Sequence, residues 1–206
     1  MKNFDSEYRI SENIKLIAGV DEAGRGPLAG PVVAASVILP IDCDIVGIND
    51  SKKLKAKERN VLFAEIISKS ICYSYCIVHH NVIDKINILQ ATLLAMKNSI
   101  SKLSVKPELI LVDGNKLFNT EIKAISIVKG DSKSESIAAA SILAKVIRDD
   151  YMEELSFEYP KYLWATNKGY PTKNHIMAIK KFGLTPYHRK SFLRKIYPEV
   201  ANELFQ

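Results

Sequence analysis

The sequence predicts a mixed α/β sheet with helical cover, and three observations carry that prediction. Short β-branched apolar runs recur along the chain, closed by Gly, Pro or an acidic residue. Between them lie longer segments with apolar residues at helical spacing. The 206 residues, 47% hydrophobic and 25% charged, are enough for a full core and exclude collagen-like, disordered and low-complexity classes.

Residues 15–20 form a short apolar run that ends in Asp21-Glu22. A Gly/Pro-rich turn from Gly24 to Pro31 leads to a second run, 32–39, closed by Pro40, so the two read as hairpin-connected strands. Residues 54–69 have helical spacing (Leu54, Leu62, Ile66), and 71–78 alternate as a third strand. A stronger helix spans 82–101, with Ile86, Leu89, Leu93 and Met96 near one face. Residues 108–112 and 125–128 are further strands, and an Ala-rich helix runs from about 134 through 150. The order is β-β-α-β-α-β-β-α, followed by short helices in 174–183 and 187–205. One domain is expected over 1–206: a sheet-and-helix core over about 16–150 and a basic helical extension over about 151–206.

Net charge is +6, unevenly spread. Residues 161–195 hold nine Lys/Arg and no Asp or Glu, which leaves the other 171 residues at −3. Such asymmetry marks either a polyanion-binding region or a solvated basic surface. Cys43, Cys72 and Cys76 contain no CxxC pair, and the latter two sit in a strand-like run as small hydrophobes. With no apolar leader region and no 18-residue apolar run, a cytoplasmic protein without a membrane span is expected.

Three strand-like runs terminate near acidic residues: Asp21-Glu22, Asp113-Gly114 and Asp131. Carboxylates past the ends of adjacent strands can converge at one sheet edge, an all-oxygen donor set that suits Mg²⁺ or Mn²⁺. Taken singly, Asp113-Gly114 reads as an ordinary turn and Asp131 as a helix N-cap. For Asp21-Glu22 the bland reading is weaker, because a charged pair between apolar segments has no obvious turn or solubility role. The tract from Asp21 to Pro31 (DEAGRGPLAGP) adds glycines either side of Arg25, where backbone can approach a ligand and a guanidinium can meet phosphate.

This eleven-residue string resembles the first signature of bacterial ribonuclease HII, a type 2 ribonuclease H. Further segments agree in order: DSKKL at 50–54, VDG at 112–114 and KGD at 129–131. SIAAASILAKVIRD at 136–149, NKGYPT at 167–172 and HRKSF at 188–192 follow. The resemblance covers about residues 16–193. It implies a ribonuclease H-like fold, a five-stranded mixed sheet flanked by helices with a C-terminal helical extension. It makes Asp21, Glu22, Asp113 and Asp131 the catalytic metal-binding set for Mg²⁺ or Mn²⁺, with two ions in the active complex. Gly24, Arg25 and Gly26 become the loop that reads the RNA–DNA junction, and Tyr170 the ring on the following deoxynucleotide sugar. Lys52 and Lys53 become backbone-phosphate contacts.

The implied activity is endonucleolytic hydrolysis of the RNA strand of RNA/DNA hybrids. It includes cutting 5′ of single ribonucleotides in duplex DNA, as in ribonucleotide removal, leaving 3′-hydroxyl and 5′-phosphate ends. Asp21 is expected to bridge both ions, Asp113 and Asp131 to hold one each, and Glu22 to complete the shell by side chain or backbone. About 15 residues precede the first strand, so ribonuclease HII is expected over ribonuclease HIII, which carries an extra N-terminal domain. Alternatives are a nuclease of the same fold that needs consecutive ribonucleotides, and a non-catalytic hybrid-binding module. A monomer is expected, with no clear protein partner in the C-terminal residues 201–206. Elsewhere, Trp164 is expected in a satellite core with Tyr159 and Tyr162, His188 in packing, and Ala138–Ala140 at a close helix–sheet approach. Lys145 and Arg148 are expected as surface charges near a helix end.

Overall fold

The computed structural model describes residues 2–48, 51 and 54–198. Five strands form one mixed sheet: β1 (Ile17–Ala23), β2 (Val32–Ile38), β3 (Cys72–Val78), β4 (Leu109–Asp113) and β5 (Ala124–Ile127), in the order β3-β2-β1-β4-β5. β1, β2 and β3 are antiparallel neighbours, while β4 runs parallel to β1 and β5 parallel to β4. The hairpin between β1 and β2 agrees with the sequence reading. The step from β3 to β4 needs a crossover, which helix α3 (His80–Ser101) supplies.

β1 and β2 are buried on both faces, which is why their sequences are nearly continuous apolar runs. Ala18, Val20, Val32, Ala34, Ile110 and Val112 pack under α3. On the opposite face, Ala35 and Val37 meet α2 (Ala56–Lys69) and α4 (Glu135–Glu158). Every fully buried Val or Ile in these layers contributes about 1.5–3 kcal/mol. The three cysteines are free and buried, Cys72 and Cys76 within the α3-side layer.

Helix α4 lies against β1 closely enough that a β-carbon on Gly19 would sit 2.0 Å from the Ser136 carbonyl carbon. Ala138, Ala139 and Ala140 are completely buried in this contact, as the Ala run predicts. α4 extends to Glu158, eight residues past its expected end. Its last turns carry Met152 and Leu155 into a second cluster with Leu28, Tyr162, Trp164, Ile179 and Leu193. The chain after α4 folds onto that cluster as α5 (Trp164–Asn167), α6 (Lys173–Phe182) and α7 (Lys190–Ile196).

Two features differ from the sequence reading. Helix α1 (Lys2–Glu12) was not expected, because only Phe4 and Tyr8 mark its apolar face. It is held by tertiary contact: the buried Asp5 carboxylate accepts the Ser136 backbone N–H at 2.9 Å and hydroxyl at 2.8 Å, where the α4 N-terminus favours an anion. α3 breaks at Asn87 (φ 67, ψ 166), whose side chain then accepts the Gln90 N–H at 3.1 Å and restarts the helix. Among the described residues no helix is long and apolar enough to cross a membrane.

Because the Gly19 approach is backbone against backbone, no rotamer change can relieve it. Gly19→Ala should lower unfolding free energy by about 3 kcal/mol or more in urea denaturation.

Candidate active site

β1 lies between β2 and β4, and its pairing with β2 continues through Ala23↔Val33. Asp21 and Glu22 therefore stand on the strand itself, which runs to Ala23, three residues beyond its expected end at 20. The parallel register Val20↔Val112 brings Asp21 next to Asp113, the last residue of β4. Strand alternation turns Asp21 toward α4, where Ser141 hydrogen-bonds to it, and Glu22 toward α3, beside Leu89, Thr92 and Met96.

Asp113 is more than half of an Asp-Gly turn. One of its carboxylate oxygens accepts the Gly130 N–H at 2.6 Å, tying β4 to the tight turn Gly130–Ser132. Gly130 fits there because a β-carbon would meet Ile137 Cδ1 at 2.6 Å. Asp131, the next residue, is buried and is not the cap of α4. Ser134 takes that position, its side chain accepting the Ile137 N–H at 3.2 Å. Asp21, Glu22 and Asp113 thus share one end of β1 and β4, and the Gly130–Ser132 turn that carries Asp131 is tied to it through Gly130.

Asp21 is 4% exposed, and its Oδ1 accepts the Glu22 N–H at 2.6 Å. Burial first, then the Glu22 and Asp113 carboxylates, push its carboxyl well above the usual range. The Glu22 N–H and the Ser141 hydroxyl pull in the opposite direction. Ser141 also bonds the buried Ser51 hydroxyl at 2.7 Å, which draws Ser51 to the same site. Lys52 and Lys53 lie outside the described residues.

The donor set is all oxygen, and its crowding of negative charge on a buried carboxylate is what a hard divalent cation relieves. Among the described residues no three His, Cys, Asp or Glu side chains are gathered as a ready metal cage. The carboxylates are instead turned onto donors: Asp21 on Glu22 N–H, Asp113 on Gly130 N–H, and Glu22 on Arg25 at 3.2 Å. The residues fit such an ion by chemistry and charge, with these side chains oriented toward protein donors.

The loop that follows β1 lies directly beside this set. Gly24 has φ +99°, and a β-carbon there would meet Arg148 Nε at 2.2 Å, so only glycine fits. Gly26 faces Tyr170, whose Cε1 would lie 3.6 Å from an added β-carbon. Arg25, Gly26 and Tyr170, some 145 residues apart in the chain, are therefore one surface, with Gly24 buried beneath it. Arg25 is half-exposed at its mouth, and its ion pair with Glu22 is a surface pair worth about 0–1 kcal/mol, readily exchanged for another anion.

Behind this surface stand two residues that the sequence reading placed otherwise. Arg148 was expected at the surface and is completely buried, its guanidinium bonded to the Ala29, Pro31 and Lys168 carbonyls. Arg189, counted in the basic run, is also completely buried and bonds the Gly24, Arg25, Gly30 and Pro31 carbonyls. Their signal was present in the RD and HRKSF segments, but nothing local distinguishes a buried arginine from an exposed one.

A family model described as Ribonuclease HII matches residues 18–196. The chain belongs to the ribonuclease HII family. It is similar to the ribonuclease HII of Caldicellulosiruptor bescii, at 53% identity over 190 residues, 92% of each chain. The crystal structure of ribonuclease H2 from Pyrococcus horikoshii superposes with TM-score 0.75 at 28% identity, covering 93% of this chain and 99% of that one. A ribonuclease HII from Archaeoglobus fulgidus, solved in complex with PCNA, gives TM-score 0.69 at 26% identity over 84% and 93% of the two chains. The chain is accordingly an endonuclease of the ribonuclease H type, a hydrolase acting on RNA in RNA/DNA hybrids, on the ribonuclease H-like fold.

The family's C-terminal extension supports Tyr170 from below. His175 Nδ1 lies 2.9 Å from the Tyr170 carbonyl and so carries a proton, leaving Nε2 to accept Trp164 Nε1–H at 3.1 Å. His188 Nδ1 accepts the Thr185 N–H at 2.9 Å, so its Nε2–H donates to His175 Nε2 at 3.2 Å. Only neutral rings satisfy this chain of bonds. Burial pushes His188 down to about 3 and lowers His175 as well. Trp164 is fully buried here with Tyr159 and Tyr162, the satellite core the sequence predicts.

The basic run divides on inspection. Besides the buried Arg189, Lys168 is paired with Glu153 at 2.9 Å, and Lys161 and Lys181 lie over the Phe182 ring at 4.9 and 5.3 Å. It is therefore no uniform phosphate-facing strip.

Two expectations follow. Between the ordinary histidine pKa of 6.5 and about 3, the unfolded chain binds a proton that folded His188 refuses. His188 thus favours the fold above pH 6.5, and this contribution is lost as pH falls, at about 1.4 kcal/mol per unit. His188→Gln should flatten that slope in urea titrations from pH 7 to 4. Separately, Gly24→Ala should lower the melting temperature by several degrees, as about 1 kcal/mol or more implies, whereas Gly26→Ala should leave it nearly unchanged.

Proposed function

We propose that this chain cuts duplex DNA on the 5′ side of an embedded ribonucleotide, and the RNA strand of hybrids, leaving 3′-hydroxyl and 5′-phosphate ends. The observation that carries this reading is the adjacency of two surfaces. The strand holding Asp21 and Glu22 runs without interruption into the Gly24–Gly26 loop, and that loop abuts Tyr170. A reacting phosphate at the carboxylates would have its neighbouring sugar against the loop and ring. The loop's glycines let backbone approach a 2′-hydroxyl, the group that separates RNA from DNA at one position. The half-exposed Tyr170 ring offers a flat apolar face to a deoxyribose.

Asp21, Glu22, Asp113 and Asp131 would hold Mg²⁺ or Mn²⁺, two ions in the active complex, which when bound supply a Lewis acid and an activated water. The chain's own contribution is placement. Gly130 N–H orients Asp113, Glu22 N–H and Ser141 orient Asp21, and Arg25 can leave Glu22 for a substrate phosphate. The exposed lysines of the extension, with Lys52 and Lys53, add contacts that hold the duplex without reading sequence. Binding should therefore weaken steeply with salt.

The test is a labelled DNA duplex with one ribonucleotide, incubated in Mg²⁺ and in chelator. A single cut 5′ to the ribonucleotide is expected, abolished by chelator and reduced about 10²-fold or more by Asp113→Asn. Cleavage of long hybrids alone would overturn the roles given to Arg25 and Tyr170. Undiminished cleavage in chelator would overturn the metal chemistry.

A further inference from the structure

The Gly24–Pro31 loop leans on two guanidinium groups drawn from distant parts of the chain. Arg189 donates to the carbonyls of Gly24 at 2.7 Å, Arg25 at 3.1 Å, Gly30 at 2.9 Å and Pro31 at 3.0 Å. Arg148 donates to Pro31 at 3.0 Å, Ala29 at 3.3 Å and Lys168 at 3.1 Å. The loop is buried except at Arg25 and Gly26, so its carbonyls need partners inside the protein. Here two like charges are taken out of solvent to serve them, against a substantial desolvation cost. Burial lowers the two groups to about 9 and about 10, so both remain cationic at neutral pH.

What this arrangement secures is the orientation of the peptide planes. In a trans peptide the carbonyl and the N–H point in opposite directions. With the Gly24 and Arg25 carbonyls drawn inward onto Arg189, the N–H groups of Arg25 and Gly26 are aimed away from it. On that side Gly26 has no side chain, and the Tyr170 edge stands at van der Waals distance. Arg148 lies under both parts, with Nε against Gly24 and its guanidinium carbon 5.7 Å from the Tyr170 ring centre. Arg189 is itself anchored: Asp84 on α3 accepts the N–H groups of Lys190 and Ser191 at 3.0 Å each and fixes the start of α7.

We propose that Arg189, seconded by Arg148, is a positioning residue for substrate recognition, setting the 24–26 peptides so that two backbone N–H donors face the strand to be cut. The C-terminal extension thus acts on the reading of the sugar from inside the protein. This inference rests on the function proposed above and deepens it.

Arg189→Lys keeps the charge but loses the fork, and one ammonium group cannot span four carbonyls. The readout is kcat/KM in Mg²⁺ on two substrates, a DNA duplex with one ribonucleotide and a hybrid whose cut strand is all RNA, alongside a melting curve. A misaligned loop can still find a register on an all-RNA strand, whereas a single ribonucleotide offers only one. Arg189→Lys should therefore lower kcat/KM about tenfold more on the single-ribonucleotide duplex than on the hybrid, chiefly through KM. An equal fall on both substrates, the signature of a merely structural residue, would overturn the inference. Should this variant lack a cooperative melt, Asp84→Asn decides by the same ratio, because it loosens the anchor of Arg189 from outside the core. A shift of about threefold supports the inference, and an unchanged ratio overturns it. If the unaltered protein does not cut the single-ribonucleotide duplex, the proposed function itself fails. If it cuts and the variant ratios stay unchanged, only the positioning role fails.

Discussion

The closeness of α4 to β1 is the constraint on which the acidic edge of the sheet depends. With no side chain at Gly19, the helix backbone sits directly on the strand, and the small residues of 138–140 keep it there. That separation lets Ser141 reach Asp21 and brings the α4 N-terminus, with its Gly130–Ser132 turn, up to the end of β4. It also opens a slot at Ser136 that Asp5 fills from α1. One missing methyl group thus supports two hydrogen-bonded attachments and the meeting of three acidic segments.

The second half of the molecule works by a different chemistry. The loop after β1 contributes mainly carbonyls, and its neighbours in the fold are donors. Arg148 and Arg189 donate seven hydrogen bonds to its carbonyls and that of Lys168, while Leu28 N–H reaches the Gly169 carbonyl and Gly30 N–H the Tyr187 carbonyl. The neutral His175–His188 pair continues this network beneath Tyr170. A polar network this buried is stable only when nearly every member is satisfied, which leaves the exposed Arg25-Gly26 tip little freedom. Rigidity of that kind suits the sugar-reading role proposed for this surface.

Most strands and the two large central helices were legible because each is buried on a recurring face, and burial writes its period into the sequence. α1 was not, since a single buried carboxylate and two aromatic rings hold it. The reach of β1 through Glu22 was equally hidden: two carboxylates at a strand's end look like its termination until the register with β2 is known. Charge misled in the same way. Lys168 and Arg189 contribute to a basic run on paper, yet one is paired with Glu153 and the other is sealed in the core.

By itself, the sequence determined the mixed α/β class and marked Asp21-Glu22 and the glycine loop by residue type and local spacing, while Asp113 and Asp131 joined them through the resemblance of whole motifs. Tertiary structure alone decided that Asp113 and Gly130 share a hydrogen bond across 17 residues, and that Gly26 and Tyr170 form one surface. It also decided that two arginines, one read from the sequence as a surface charge and the other as part of a basic run, stand beneath that loop. The physical reason is that a charged side chain carries no mark of its partner. A guanidinium can be solvated by water or by carbonyls more than a hundred residues away, and only the fold decides which of the two surrounds it.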